Sequence, residues 1–303
     1  MVSLSVDIGR EKSYDYLMKC FFVSDQHGDI NKYNKLFYSI NKEKPDAVFI
    51  GGDILPHFLL PDSGLDSVHE DFINDFLVKK FDSLKERLGD SYPRIFLILG
   101  NDDGRFEEPA ILDAATRGVW HYCHLRRFSL GEYRVYGYAY VPPTPFRLKD
   151  WERYDVSRYV DPGCIAIEEG VFSHPVSESE KMYTTISEDL KKLTGDDPMD
   201  KVIFLFHSPP YQTKLDRAAL DGKKINHAPL DIHVGSIAIK RFIEDRQPLI
   251  TLHGHIHEST RITGAWQEKL GRTYAFSAAH EGKELALVVF DPRYPEKACR
   301  QLL

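Results

Sequence analysis

Five short apolar runs recur along the chain, at 20–23, 47–50, 95–99, 202–206 and 249–252, broken only by Thr251. Each gives way within three residues to a polar side chain: Asp25, Asp53, Asn101, His207 and His255. Runs of this length without polar alternation suit strands covered on both faces and predict an α/β core in which helices sandwich the sheet. Between them, Phe72, Ile73, Phe76, Leu77, Phe81, Leu84 and Leu88 form an apolar stripe at helical steps, and Met182, Tyr183, Ile186, Leu190 and Leu193 form a second. Both stripes read as core-facing helix surface. Tyr136, Tyr138 and Tyr140 alternate with smaller residues and 284–290 ends in an apolar run, which predicts two further strands and a second sheet.

Residues 142–170 differ, with four prolines (Pro142, Pro143, Pro145, Pro162) and little periodicity. This segment reads as a surface insertion, either a site-covering loop or a plain exposed excursion. With no repeat, low-complexity tract or linker, the whole chain, 1–303, reads as one domain.

Composition narrows the function. The 303 residues are 42% hydrophobic and 28% charged, a globular profile, and 39 Lys and Arg against 46 Asp and Glu give a formal charge of −7. Such a molecule repels a polyanion and lacks interleaved basic and aromatic stretches, so nucleic acid is an unlikely partner. Asp7, Arg10, Glu11, Lys12 and Asp15 interrupt the start of the chain where an export signal needs an apolar core. No stretch approaches the ~18 uninterrupted apolar residues of a membrane span. Cys20, Cys123, Cys164 and Cys299 are far apart and form no C-x-x-C, so they read as reduced thiols in a cytoplasmic protein without a membrane partner.

The polar residues that end the runs carry the chemistry. An Asp-x-His pair is weak evidence alone; it occurs at both Asp25/His27 and Asp231/His233. The runs, however, deliver Asp25, His27, Asp53, Asn101, His207, His255 and His257 to strand ends, where an open α/β sheet places its ligand site. Carboxylate, carboxamide and imidazole without thiolate suit Mn, Fe, Zn or Co rather than calcium. Seven donors exceed one tetrahedral ion and suit two sharing a carboxylate, ~3.5–4 Å apart, as in two-metal ester hydrolysis.

Asp25-x-His27-Gly28-Asp29, Gly51-Gly52-Asp53, Gly100-Asn101-Asp102-Asp103, His207 and Gly254-His255-x-His257 together resemble the calcineurin-like metallophosphoesterase superfamily. His207-Ser-Pro-Pro-Tyr, Asp216, His233-Val-Gly-Ser236 and Gly254-His-Ile-His-Glu-Ser259 are further similar to its small Icc-like phosphoesterases. The resemblance implies a four-layer sandwich of two mixed β-sheets flanked by helices. It implies that Asp25, His27, Asp53 and His257 hold one ion, and that Asp53, Asn101, His207 and His255 hold the other. The implied activity is hydrolysis of a small-molecule phosphate mono- or diester by a metal-activated hydroxide. A nuclease-like phosphodiesterase and a non-catalytic metal-binding scaffold are the alternatives.

One position departs from the pattern. Where the family carries a histidine that protonates the leaving group or stabilises phosphate, this chain has Asp102. Beside two cations its carboxylate stays ionised, with no proton to give, and repels phosphate. Asp102 is therefore the questionable catalytic position. The candidates to replace its acid are His280, His233 and His227, unless the substrate has a good leaving group or the chain binds without turnover. Asn101 and Arg105 are expected to meet substrate, Arg105 through a bidentate phosphate contact. His253, and the His121-Tyr-Cys-His124 pair, are expected not to bind metal. Asp29 and Asp103 either orient ligands or cap helices.

Overall fold

A computed structural model describes residues 17–57 and 71–303; the charged positions Asp7 to Asp15 lie outside the described residues. In chain order the first strands are β1 (Cys20–Val23), β2 (Ala47–Gly51), β3 (Arg94–Ile98), β4 (His121–Tyr122), β5 (Arg126–Leu130), β6 (Tyr133–Tyr138) and β7 (Val202–Phe206). They are followed by β8 (Lys224–Ile225), β9 (Ala228–Pro229), β10 (Ile250–His253), β11 (Gln267–Leu270), β12 (Thr273–Ser277), β13 (Ala286–Phe290) and β14 (Cys299–Leu302). Twelve of them form two six-stranded mixed sheets, ordered β14-β13-β1-β2-β3-β4 and β11-β12-β10-β7-β6-β5, while β8 and β9 make a separate hairpin.

The five apolar runs supply the central parallel strands. β1 pairs parallel with β2 and β2 with β3, while β10 and β7 lie side by side in the second sheet. Every residue of β1, β2, β7 and β10 is buried, as continuous apolar runs require when both faces are covered. The sheets meet through aromatic side chains: Phe49 stacks on Phe96 at 5.3 Å and touches Phe290, which meets Phe276 of the opposite sheet at 5.8 Å. Helices α1 (Ile30–Glu43), α2 (Lys79–Leu88) and α3 (Glu108–Thr116) lie in the crossovers of the first sheet. Tyr33 and Phe37 of α1 pack against Phe76, and Phe37 also against Phe81 of α2. Around the second sheet, α4 (Glu178–Tyr183) and α5 (Ile186–Thr194) precede α6 (Ile237–Arg246), whose Phe242 meets Phe204 and Phe206. A short α7 (Ser259–Thr263) follows β10. The sandwich of two mixed sheets flanked by helices is as expected, and no helix among the described residues is long and apolar enough to cross a membrane.

Two expectations change. The stripe from Met182 to Leu193 is split between α4 and α5, because Thr185 is extended (φ −131°, ψ 152°) and its side chain caps α5 by accepting from Glu188 N. The segment 142–170 is only partly a surface excursion, since Leu148 to Asp155 is buried throughout. There Lys149 Nζ faces Glu152 at 2.5 Å, and the Glu152 carboxylate accepts from Thr144 N. Asp155 accepts from Ser236 Oγ, Ile237 N and Ala238 N at the start of α6. Polar composition signalled exposure; the charged groups instead pair inside, while Trp151 Nε1 has no hydrogen-bond partner.

Candidate metal centre

The ends of β1, β2, β3, β7 and β10 converge, and the loops that follow them carry the polar residues into one cluster. Donor atoms of Asp25, His27, Asp53 and His257 lie within 4.8 Å of one another, as do those of Asp53, His207 and His255. Asn101 joins the second group through Oδ1, 3.1 Å from His207 Nε2. Asp53 belongs to both groups, with Oδ2 3.2 Å from His207 Nε2 and 3.9 Å from His27 Nε2. All seven side chains expected at strand ends are therefore together.

The backbone is bent to aim them. Asp25 (φ 59°), His27 (φ 47°), Asp53 (φ 51°) and His255 (φ 76°) all adopt the left-handed conformation, which costs a non-glycine residue of order 1 kcal/mol or more. Four such residues in one cluster are held by the fold. Gly52 (φ +95°) is needed beside them, because a Cβ there would sit 2.6 Å from His207 Nδ1. At Gly100 a Cβ would collide with the Asp53 carboxylate.

Hydrogen bonds fix the ring orientations. His207 Nδ1 donates to the Gly51 carbonyl at 2.7 Å, which leaves Nε2 facing Asp53 and Asn101. Asp53 Oδ1 accepts from Asp102 N, and Asp25 Oδ1 from His255 N. Asp103, expected as an orienting group or a cap, is fully buried and accepts from Ile54 N, Leu55 N and Gly100 N, tying the loops after β2 and β3 together. Asp29 caps α1, accepting from Asn31 N and Lys32 N.

The titratable groups of the cluster shift one another's protonation strongly. Burial pulls Asp25 upward, but the bond and charge of His257 and the charge of His207 hold it at about 2. Burial likewise opposes ionisation of Asp53, yet His207 and His27 hold it far below the usual carboxylate range. Burial would lower His207; Asp53 and Asp25 instead carry it to about 10. Burial lowers His27 to about 4 and, with the charge of His207, His255 to about 3. Asp102, only partly buried, is pushed up to about 7 by lost solvent and the charge of Asp53, opposite to the ionised state expected of it.

The donors fit divalent cations. Asp25 Oδ2 is buried without a hydrogen-bond partner, and the Nε2 atoms of His27 and His257 face each other at 3.2 Å, within reach of one acceptor of their lone pairs. A set of carboxylate, amide and imidazole donors without thiolate suits Mn, Fe, Zn or Co.

The expected partners around this cluster fare differently. His280 Nε2 bonds Glu284, His233 Nδ1 bonds Asp216 at 2.8 Å, and His227 lies at the turn between β8 and β9, so none joins the clusters. Arg105 is already engaged, with Nε on Glu108, Nη1 on Tyr140 and its guanidinium 4.9 Å over Trp151, which removes the fork expected for phosphate. His253 is buried between Ser208 O and Thr251 Oγ1, His124 accepts from Ala139 N, and His121 stacks on Phe96; none is among the grouped donors. Asp102 does reach the site, 3.7 Å from His27 Nδ1. His57, which the sequence did not single out, completes a third group with His27 and Asp102. Its only signal was its place four residues beyond Asp53, on the same loop.

Known proteins resemble this chain in sequence and in fold. An uncharacterized protein of Methanocaldococcus jannaschii, MJ1162, is 38% identical over 97 residues, 31% of this chain; the match spans only 35% of that relative's length. Two solved structures, each 16% identical, cover 95% of this chain and 99% of their own. One superposes with a TM-score of 0.57, and the other, TT1561 of Thermus thermophilus, with 0.54. At that identity the likeness speaks for the fold alone. Residues 18–259, most of the chain, match the calcineurin-like phosphoesterases, and the protein belongs to that family.

Proposed function

We propose that this protein hydrolyses a small phosphate mono- or diester using two divalent metal ions. Asp25, His27, Asp53 and His257 would hold one ion, and Asp53, Asn101, His207 and His255 the other. What supports the reading is the sharing of Asp53 by two groups of donors at the bottom of one strand-end cluster. Divalent ions bound there would acidify water near neutral pH and draw charge from the phosphoryl oxygens. The chain's own part is positioning. Asp102 N–H holds Asp53 Oδ1, the Gly51 carbonyl orients His207, and His255 N–H holds Asp25. Asn101 would meet the substrate from the second group. The formal charge of −7 favours a small ester over a nucleic acid. Four cysteines free of disulfides support a cytoplasmic location, and the whole chain acting as one domain remains part of the proposal.

Metal analysis of the purified protein, alongside mono- and bis-nitrophenyl phosphate hydrolysis with added manganese, tests the reading. Two equivalents of metal and manganese-dependent nitrophenol release are expected. Tight metal binding without turnover on any ester of a broad panel would favour a scaffold instead.

A further inference from the structure

We propose that His57, braced by Asp102, is a substrate-contacting residue that hydrogen-bonds an oxygen of the bound phosphoryl group. The inference rests on the phosphoesterase reading above. Side-chain exposure rises stepwise through the cluster: 3% for Asp53, 13% for His27, 31% for Asp102 and 41% for His57. His57 therefore stands at the mouth and Asp53 at the floor.

Two contacts fix the ring there. His57 stacks on His27 with centroids 4.6 Å apart and planes 18° from parallel. Its Nδ1 lies 3.4 Å from Asp102 Oδ2. Asp102 thus faces His57 on one side and His27 Nδ1, a buried nitrogen without a hydrogen-bond partner, on the other.

A carboxylate at the mouth of a site for an anion is repulsive unless something stands in front of it. His57 does so: its Nδ1 faces the carboxylate, which leaves the ring's other nitrogen, Nε2, to meet an incoming phosphoryl oxygen. His233 and His280 also bond carboxylates, Asp216 and Glu284, but only His57 is grouped with His27 and Asp102. Asp102, whose Oδ1 also accepts from Asn101 Nδ2 at 3.2 Å, is then a positioning residue that reaches the substrate through the imidazole.

The test uses the full, manganese-loaded chain with three variants, His57→Ala, His57→Gln and Asp102→Asn, and the double variant His57→Ala/Asp102→Asn. His57→Ala is expected to keep its full metal content, to lower kcat/KM on nitrophenyl phosphate about 100-fold, and to weaken binding of inorganic phosphate about tenfold by calorimetry. His57→Gln, which retains an N–H donor, recovers part of both losses. Asp102→Asn loses less than His57→Ala and adds little in the double variant, because both act through one contact. Undiminished kcat/KM and phosphate binding in His57→Ala would overturn the proposal, and so would loss of metal, which would make His57 a ligand. If the wild-type protein hydrolyses no ester, the phosphoesterase reading fails separately. The phosphate calorimetry still decides the contact: equal affinity in wild type and His57→Ala overturns it, weaker affinity in the variant upholds it.

Discussion

Two regions of this protein bury charge, and they treat it in opposite ways. In the segment from Thr144 to Asp155 every buried ion meets a protein partner: Lys149 meets Glu152 and the Thr144 carbonyl, Arg153 meets Asp189 and Glu180, and Asp155 takes three donors from the start of α6. At the strand ends, Asp25, Asp53, Asp102 and Asp103 crowd together, Asp25 Oδ2 and His27 Nδ1 have no hydrogen-bond partner, and four residues hold a costly backbone conformation. Unpartnered buried polar atoms cost about 1–3 kcal/mol each. The first region pairs its ions and, of its buried side-chain polar atoms, leaves only Trp151 Nε1 unbonded; in the second Asp25 Oδ2 and His27 Nδ1 belong to groups that could hold a metal ion.

The largest expected effect tests that contrast at its centre. Asp53→Asn removes one negative charge from two ligand groups at once. It should lose bound metal, measured by elemental analysis, and at least about a thousandfold in kcat/KM, ~4 kcal/mol of transition-state stabilisation. Retention of two equivalents of metal would refute the shared-carboxylate assignment.

The corresponding cut in the satisfied region should change stability and spare the site. Lys149→Met leaves the fully buried Glu152 without its cation, which should cost ~3 kcal/mol in chemical denaturation with metal content intact. The double variant Lys149→Met/Glu152→Leu should recover most of that loss, because it removes both buried charges. Metal loss in Lys149→Met would mean that the two regions are coupled.

The same residue gives a pH dependence with a definite sign. Burial pushes Glu152 up to about 7 from the ordinary glutamate range, although Lys149 pulls the other way. The folded protein therefore binds this proton more tightly than the unfolded chain does. Its contribution is complete below about pH 4.5 and is lost as pH rises through about 7, amounting to at most ~3 kcal/mol. Comparing wild type with Glu152→Gln between about pH 5 and pH 8 isolates the slope, since the glutamine cannot titrate. A wild-type stability that rises across this window relative to the variant would reverse the assignment.

The regions also differ in how far the sequence disclosed them. The apolar runs at 20–23, 47–50, 95–99, 202–206 and 249–252 became β1, β2, β3, β7 and β10, because a strand buried on both faces must be apolar throughout. Strand β5 (Arg126–Leu130) and strand β14 lie at sheet edges with mostly exposed side chains, so they carry no such signature. The polar residues that end the runs were legible as a group because each follows a strand. His57 follows no run directly and is visible only once folding stacks it on His27. The packing of Lys149 with Glu152 and of Asp155 with α6 depends on partners in space, so a proline-rich, charged segment resembled an exposed loop.

Asp29 stands on the boundary between the two kinds of region, two residues from His27 yet pointed away from it. Its Oδ1 accepts from Asn31 N at 2.8 Å and Lys32 N at 3.2 Å, and its extended backbone (φ −67°, ψ 103°) is that of a residue opening a helix. Helix α1 buries Tyr33, Leu36 and Ile40, so loosening its first turn weakens packing on the first sheet. Asp29→Ala should therefore lower stability by ~1 kcal/mol, and Asp29→Ser should restore most of it, because a hydroxyl can accept the same bond. Metal content and kcat/KM should not move in either variant. If Asp29→Ala sheds metal while Asp29→Ser keeps it, the cap also holds the loop that carries Asp25 and His27. The cost of their left-handed conformations would then be met in part by the first turn of α1 rather than by the strand ends alone.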